Sequence, residues 1–220
     1  MPLYFFANII YNISEKGEKS VESNFKLNNL LDKNKGIIRT AQALEAGLDK
    51  PNFYKYIKDN KLERVSHGIY ATQGAWIDEL YILHLRSEQA IFSHDTALLL
   101  HGMTDREPAY PSITVKTGYN PSHFISEGIK VYTVKHELLE LGKTTAKTQF
   151  GHTVPVYDIH RTICDIVRSR NKLEFQTVQN ALKAYVRRKD KNLNSLMQYA
   201  SMFGVQSIVR GYMELLVFYK

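Results

Sequence analysis

The stretch GIIRTAQALEAGLDKPNFYKYIKDNKLERVSHGIY, residues 36–70, decides how the N-terminal part of the chain is read. Thr40 stands where it can cap a short helix, the alanines at 41, 43 and 46 favour that conformation, and Gly47 can end it. Leu48-Asp49-Lys50 makes a turn, and Pro51 then falls at a first helical position, where its missing N–H is no loss. The helix it opens runs to Asn60. It gathers Phe53, Tyr56 and Ile57 on one face and leaves Asn52, Lys55, Lys58 and Asp59 on the others. Past Lys61 the period becomes two, through Leu62, Arg64, Ser66, Gly68 and Tyr70, with Ser66-His67-Gly68 as a hairpin tip. Upstream, Phe25, Leu27, Leu30 and Leu31 recur at helical spacing, and Gly36 follows as a helix end. Helix, short helix, tight turn, helix and hairpin is the layout of a winged helix-turn-helix, expected over residues 25–75.

Outward from that stretch the pattern changes on both sides. Residues 14–24 are polar and aperiodic, so residues 1–24 read as an extension and linker. Met1–Ile13 is apolar but lacks the basic start and small-residue cleavage site of a signal peptide. Residues 76–220 read as a second domain, with helices at Ile77–Arg86 and Thr96–His101, the latter capped by Ser93. Strands follow at Ser112–Lys116, Ile129–Val134, Ala146–Phe150 and Val154–Tyr157. Residues 160–220 are mostly helical, striped by Phe175, Val178, Leu182 and Tyr185, then Leu193, Leu196 and Ala200, then Val205, Val209, Tyr212 and Leu215. The expected fold class is α/β (α+β): an N-terminal winged helix-turn-helix, then a mixed α/β C-terminal domain with a helical C-terminal part.

At 220 residues and 44% hydrophobic composition the chain can bury a core without staples. No apolar run reaches the roughly 18–20 residues that span a bilayer, and the expected location is cytoplasmic. The lone cysteine, Cys164, sits in a helical run with one apolar face and reads as a small buried hydrophobe. The net charge of +7 is uneven: 0 over residues 1–34, +3 over 35–75, −3 over 76–159 and +7 over 160–220. Two basic segments suit a polyanion such as nucleic acid; solvated helices coated with lysine and arginine are the plainer account.

The second helix of the pair carries the donor types that reach phosphates and base edges in a major groove. The candidate DNA-binding residues are Arg39, Thr40, Lys50, Asn52, Tyr54, Lys55 and Lys58, with Arg64 and His67 on the wing. The competing reading is a winged helix that docks a protein. A second candidate polyanion surface is Arg187, Arg188, Lys189 and Lys191, although cations at a helix C-terminus are also favoured by the helix dipole. No catalytic residue, metal site or cofactor is expected. His136-Glu137-Leu138-Leu139-Glu140 ends in Glu where a zinc-protease motif needs its second His. Ser93-His94-Asp95 are adjacent, which prevents a triad, and no phosphate-binding glycine loop occurs. The alternative function is an enzyme acting on nucleic acid.

Several runs together resemble the AbiEi antitoxin family of the abortive-infection AbiE type IV toxin–antitoxin systems. They are residues 36–47, Tyr54–Ile57, Leu62–Tyr70, Phe92–Leu98, Leu100–Arg106, Gly118–Pro121, Val156–Asp165 and Arg187–Leu193. The resemblance extends from about Phe25 to the C-terminus and leaves the first 20 or so residues outside it. It implies a repressor that binds inverted repeats in its own promoter through the winged helix. It also implies a C-terminal antitoxin domain that opposes a nucleotidyltransferase-like toxin without needing a stable complex.

Overall fold

The computed structural model describes residues 21–218; the expectations for residues 1–20 lie outside the described residues. The chain divides into two compact units, Met1–Arg86 and Ser87–Lys220.

In the first unit, helix α1 is described over residues 21–33 and takes in residues 21–24, read from sequence as linker. Then come β1 (Ile37–Arg39), α2 (Thr40–Glu45), α3 (Lys50–Asp59), β2 (Glu63–Ser66), β3 (Ile69–Ala71) and α4 (Glu79–Arg86). The three strands form one antiparallel sheet in the order β1-β3-β2, with Tyr70 paired to Ile38 on one side and Arg64 on the other. Strand β1 is a separate element that the sequence pattern runs together with α2. The α2–α3 turn is set locally: Gly47 takes φ +90°, its N–H bonds Leu44 O, and the Leu48 N–H reaches Ala43 O, which closes α2 with a left-handed cap. Asp49 then caps α3 through its side chain, accepting the Asn52 N–H at 2.8 Å. At the start of α2 the N-cap is Arg39, and Thr40, expected there, is the first helical residue.

Leu27, Leu31, Ile38, Ala43, Leu48, Phe53, Tyr56 and Leu62 form the core between α1, the sheet and the helix pair. Phe25, expected among them, is 65% exposed. Because side chains alternate along a strand, Ile37, Ile69 and Ala71 are buried on the sheet's other face. Arg39 shares that face and donates from Nη1 to Leu85 O of α4 at 2.9 Å. Helix α4, read from sequence with the second domain, thus groups with the first unit.

The second unit holds a mixed five-stranded sheet in the order β6-β5-β4-β8-β7, built from β4 (Ile91–Phe92), β5 (Ser112–Lys116), β6 (Lys130–Val134), β7 (Lys143–Lys147) and β8 (Thr153–Tyr157). Strand β7 lies a few residues before its expected position. Helices α5 (His94–Leu100), α6 (Ser122–Ser126), α7 (Ile159–Arg168), α8 (Phe175–Arg187), α9 (Leu193–Met202) and α10 (Gln206–Phe218) complete it. The main core joins Ile163, Cys164 and Val167 of α7 to Val178, Leu182 and Tyr185 of α8, Leu196 and Ala200 of α9, and Val209 and Met213 of α10. Phe175, Leu193 and Leu215 belong to the same helical stripes by spacing, yet all three are exposed.

Helix α7 differs from its expected form with one apolar face, since every residue from Arg161 to Val167 is buried, Asp165 included. Arg161 Nε donates to Asp165 Oδ2 at 2.9 Å, and its Nη1 donates to Leu138 O and Leu141 O. The guanidinium lies 4.0 Å from the centres of both the Tyr157 and Phe203 rings. Arg168 adds an ion pair to Asp165 Oδ1 at 3.1 Å. Burial of the Cys164 thiol beside Asp165 pushes it up to about 12, the behaviour of an inert core residue.

Candidate nucleic-acid interface

Helix α3 presents its apolar residues Phe53 and Tyr56 to the core and leaves Lys50, Asn52, Tyr54, Lys55 and Lys58 exposed. Lys50, Lys55 and Lys58 have no side-chain hydrogen bond or ion pair among the described residues. Tyr54 lies against Tyr70 of β3, edge to face, with ring centres 6.5 Å apart. Tyr70 pairs across the sheet with Arg64 of β2, so the tyrosine pair joins α3 to the wing. Burial pushes the Tyr70 hydroxyl above its ordinary range, with Tyr54 adding to the effect.

On the wing, Arg64 Nη2 donates to His67 Nδ1 at 3.0 Å and its Nε donates to Ser66 O at 3.3 Å. A guanidinium only donates, so Nδ1 is the acceptor in this contact. Both residues are exposed. The hairpin is tied to the helix pair at its tip: Gly68 O accepts the Thr40 N–H at 2.8 Å and the Thr40 hydroxyl at 3.2 Å.

The geometry therefore separates the nine residues singled out in this unit. Lys50, Asn52, Tyr54, Lys55 and Lys58 share the exposed part of α3, and Arg64 and His67 share the wing tip. Arg39 is turned to α4, and Thr40 is turned to Gly68; both are half-buried. Of the C-terminal cluster, Arg188 is engaged by a two-pronged ion pair to Asp190, at 2.8 Å on each prong, and by His101 O at 2.9 Å. Lys191 Nζ closes the α8 end by donating to Arg188 O. Arg187 and Lys189 remain exposed.

The Ser93-His94-Asp95 run is also explained. Ser93 is the N-cap of α5 by position, but its hydroxyl makes no cap bond; it lies 3.0 Å from His94 Nδ1 and accepts from Thr114 Oγ1 at 2.8 Å. His94 is fully buried at φ +48°, stacks on Tyr132, and places Nε2 2.9 Å from Ser169 Oγ. Burial, then Arg168 and Arg161, hold it well below the usual imidazole range, so it is neutral. His136–Leu138 forms a 3-10 turn with His136 and Glu137 exposed.

An α1-β1-α2-α3-β2-β3 order with the sheet β1-β3-β2 places this unit in the winged-helix class. Residues 26–73 match the family described as "Transcriptional regulator, AbiEi antitoxin", a match that covers the winged helix from α1 through β3. Over that segment the resemblance read from the sequence is borne out. No curated protein sequence matches the chain. The chain is also similar to the crystal structure of the RV2827C protein from Mycobacterium tuberculosis, with TM-score 0.46 and 13% identity, over 86% of this chain and 78% of that one. Among the described residues no helix is long and apolar enough to cross a membrane.

Proposed function

We propose that this protein is the antitoxin of a type IV toxin–antitoxin system and represses its own operon by binding inverted repeats through the winged helix. The observation that carries this reading is the set of three exposed lysines on α3 without side-chain partners among the described residues, in a segment that matches AbiEi antitoxin regulators. Arg39 and Arg188 are engaged by backbone carbonyls of the fold; the lysines of α3 are available to phosphates, with Asn52 and Tyr54 beside them. Arg64 and His67 extend the contact to the flanking backbone. The protein acts by binding, without catalysis, in the cytoplasm. Its second unit carries the antitoxin activity and opposes a nucleotidyltransferase-like toxin without a stable complex. Arg187 and Lys189 give that unit a smaller polyanion surface than residue counting suggests.

The test is a footprint of the full chain on the DNA upstream of its own gene, with co-expression of the neighbouring toxin. Salt-sensitive protection of an inverted repeat and rescue of growth are expected. An unprotected upstream region would overturn the repressor reading, and toxicity unchanged by co-expression would overturn the antitoxin reading.

A further inference from the structure

Beside the exposed lysines of α3, its third residue, Asn52, is held in a different way. One oxygen of the Asp49 carboxylate accepts the Asn52 backbone N–H at 2.8 Å, and the other accepts the side-chain Nδ2 at 3.1 Å. A carboxylate can only accept, so the amide orientation is determined: Nδ2 is toward Asp49 and Oδ1 is the end left over. Nδ2 has a second N–H, which the Asp49 bond does not use. Asn52 therefore offers one acceptor and one donor side by side on an exposed face of the helix.

The charge of Asp49 decides what those two groups suit. A phosphate brought to Nδ2 would meet a carboxylate within a few ångströms, and like charges at that spacing repel. A base edge is neutral and carries no such penalty. In the major groove guanine presents two acceptors, N7 and O6; thymine presents an acceptor and a methyl group; cytosine presents a donor alone. Adenine sets an N6 donor beside an N7 acceptor, the complement of a free Oδ1 and a free Nδ2–H. Residues in the first turn of a recognition helix are those that reach base edges.

We infer that Asn52 reads an adenine in each operator half-site, Oδ1 accepting from N6–H and Nδ2–H donating to N7, with Asp49 as the residue that positions the amide. This rests on the reading that α3 enters the major groove of operator DNA. It assigns sequence discrimination to a neutral side chain and leaves Lys55 and Lys58 to the backbone.

The experiment uses the full chain and a duplex of the DNA upstream of its own gene. Within the footprint, adenines are replaced one at a time by 7-deazaadenine, which lacks the N7 acceptor, and by purine, which lacks the N6 amino group. At one adenine per half-site each analogue removes one of the two hydrogen bonds and leaves its partner on Asn52 unpaired, which should weaken the parent about 5- to 150-fold. Asn52→Ala should bind the unmodified duplex with similarly reduced affinity, ignore both analogues at that adenine, and keep the parent's salt slope. Asp49→Ser retains a capping oxygen but not the second acceptor, so it should melt like the parent and discriminate less at that adenine. The inference is overturned if no adenine shows an analogue effect that Asn52→Ala abolishes, or if Asn52→Ala flattens the salt slope by about one unit, the mark of a phosphate contact. Parental discrimination in Asp49→Ser would remove Asp49 from the assignment. If the parent leaves no footprint on this DNA, the major-groove reading itself is wrong and the adenine contact falls with it.

Discussion

Replacing Lys55 and Lys58 together with Ala should weaken DNA binding most at low salt and leave the fold intact. Both side chains are exposed and bond to nothing else among the described residues, so their removal orphans no buried group. Lys58 lies in the last turn of α3, where a cation contributes about 0.3–1 kcal/mol through the helix dipole, and that sets the scale of the stability cost. Each lysine that meets a phosphate adds about 0.9 to the slope of log affinity against log salt, so the double variant should lose about 1.8. Between about 50 and 200 mM salt, a roughly fourfold change, that difference amounts to about a twelvefold larger loss of affinity in the parent than in the variant. Fluorescence anisotropy with a labelled duplex of the upstream DNA, repeated across that salt range, measures both slopes. Equal slopes in parent and variant, with equal melting temperatures, would refute the assignment of these lysines to the phosphate backbone.

Three further outcomes follow from the same geometry. Arg161→Met removes the partner of a fully buried carboxylate and the donor to two carbonyls, and should cost about 3–5 kcal/mol in denaturant unfolding of the second unit; a loss under about 1 kcal/mol would show that Arg168 suffices for Asp165. His94 is held neutral below its ordinary value, so the unfolded chain binds more protons in mild acid, and stability should fall as pH drops below about 6.5 by at most roughly 1.4 kcal/mol per pH unit. Melting curves across mildly alkaline to mildly acidic pH for the parent and His94→Gln test this, and an identical pH dependence in the two proteins would count against it. Thr40→Val deletes the hydroxyl bond to Gly68 O but keeps the backbone one, and should lower stability by about 1 kcal/mol; a footprint that shrinks only at the wing would show that Thr40 acts by placing the hairpin.

Residue order made the winged helix legible because the signals there are local. A Gly at the end of α2, a Pro in the first turn of α3 and a change of period after Lys61 are consequences of backbone geometry within a few residues. The elements that leave no such trace are those too short to have a period: β1 has three residues and β4 has two, and each exists because a distant strand pairs with it. The same limit explains Phe25, Phe175, Leu193 and Leu215. Spacing places them on an apolar face, but only the packed neighbours decide how far along a helix that face is covered. The buried ion pair of α7 does have a local signature: Arg161 and Asp165, four residues apart in an otherwise apolar run, have the spacing of a helical ion pair.

By itself the sequence determined the class of the first unit, the positions of α3 and the wing, and the residue types those elements expose. Helix period and turn chemistry are properties of the chain's own covalent geometry, and they act before any tertiary contact forms. Tertiary structure alone decided which of those side chains are free. Arg39, Thr40 and Arg188 look as available in the sequence as Lys55 and Lys58, yet they are engaged by Leu85 O, Gly68 O and His101 O respectively. A donor's identity is written in one residue, but its partner is often tens of residues away, and folding settles that pairing before any ligand can compete for it.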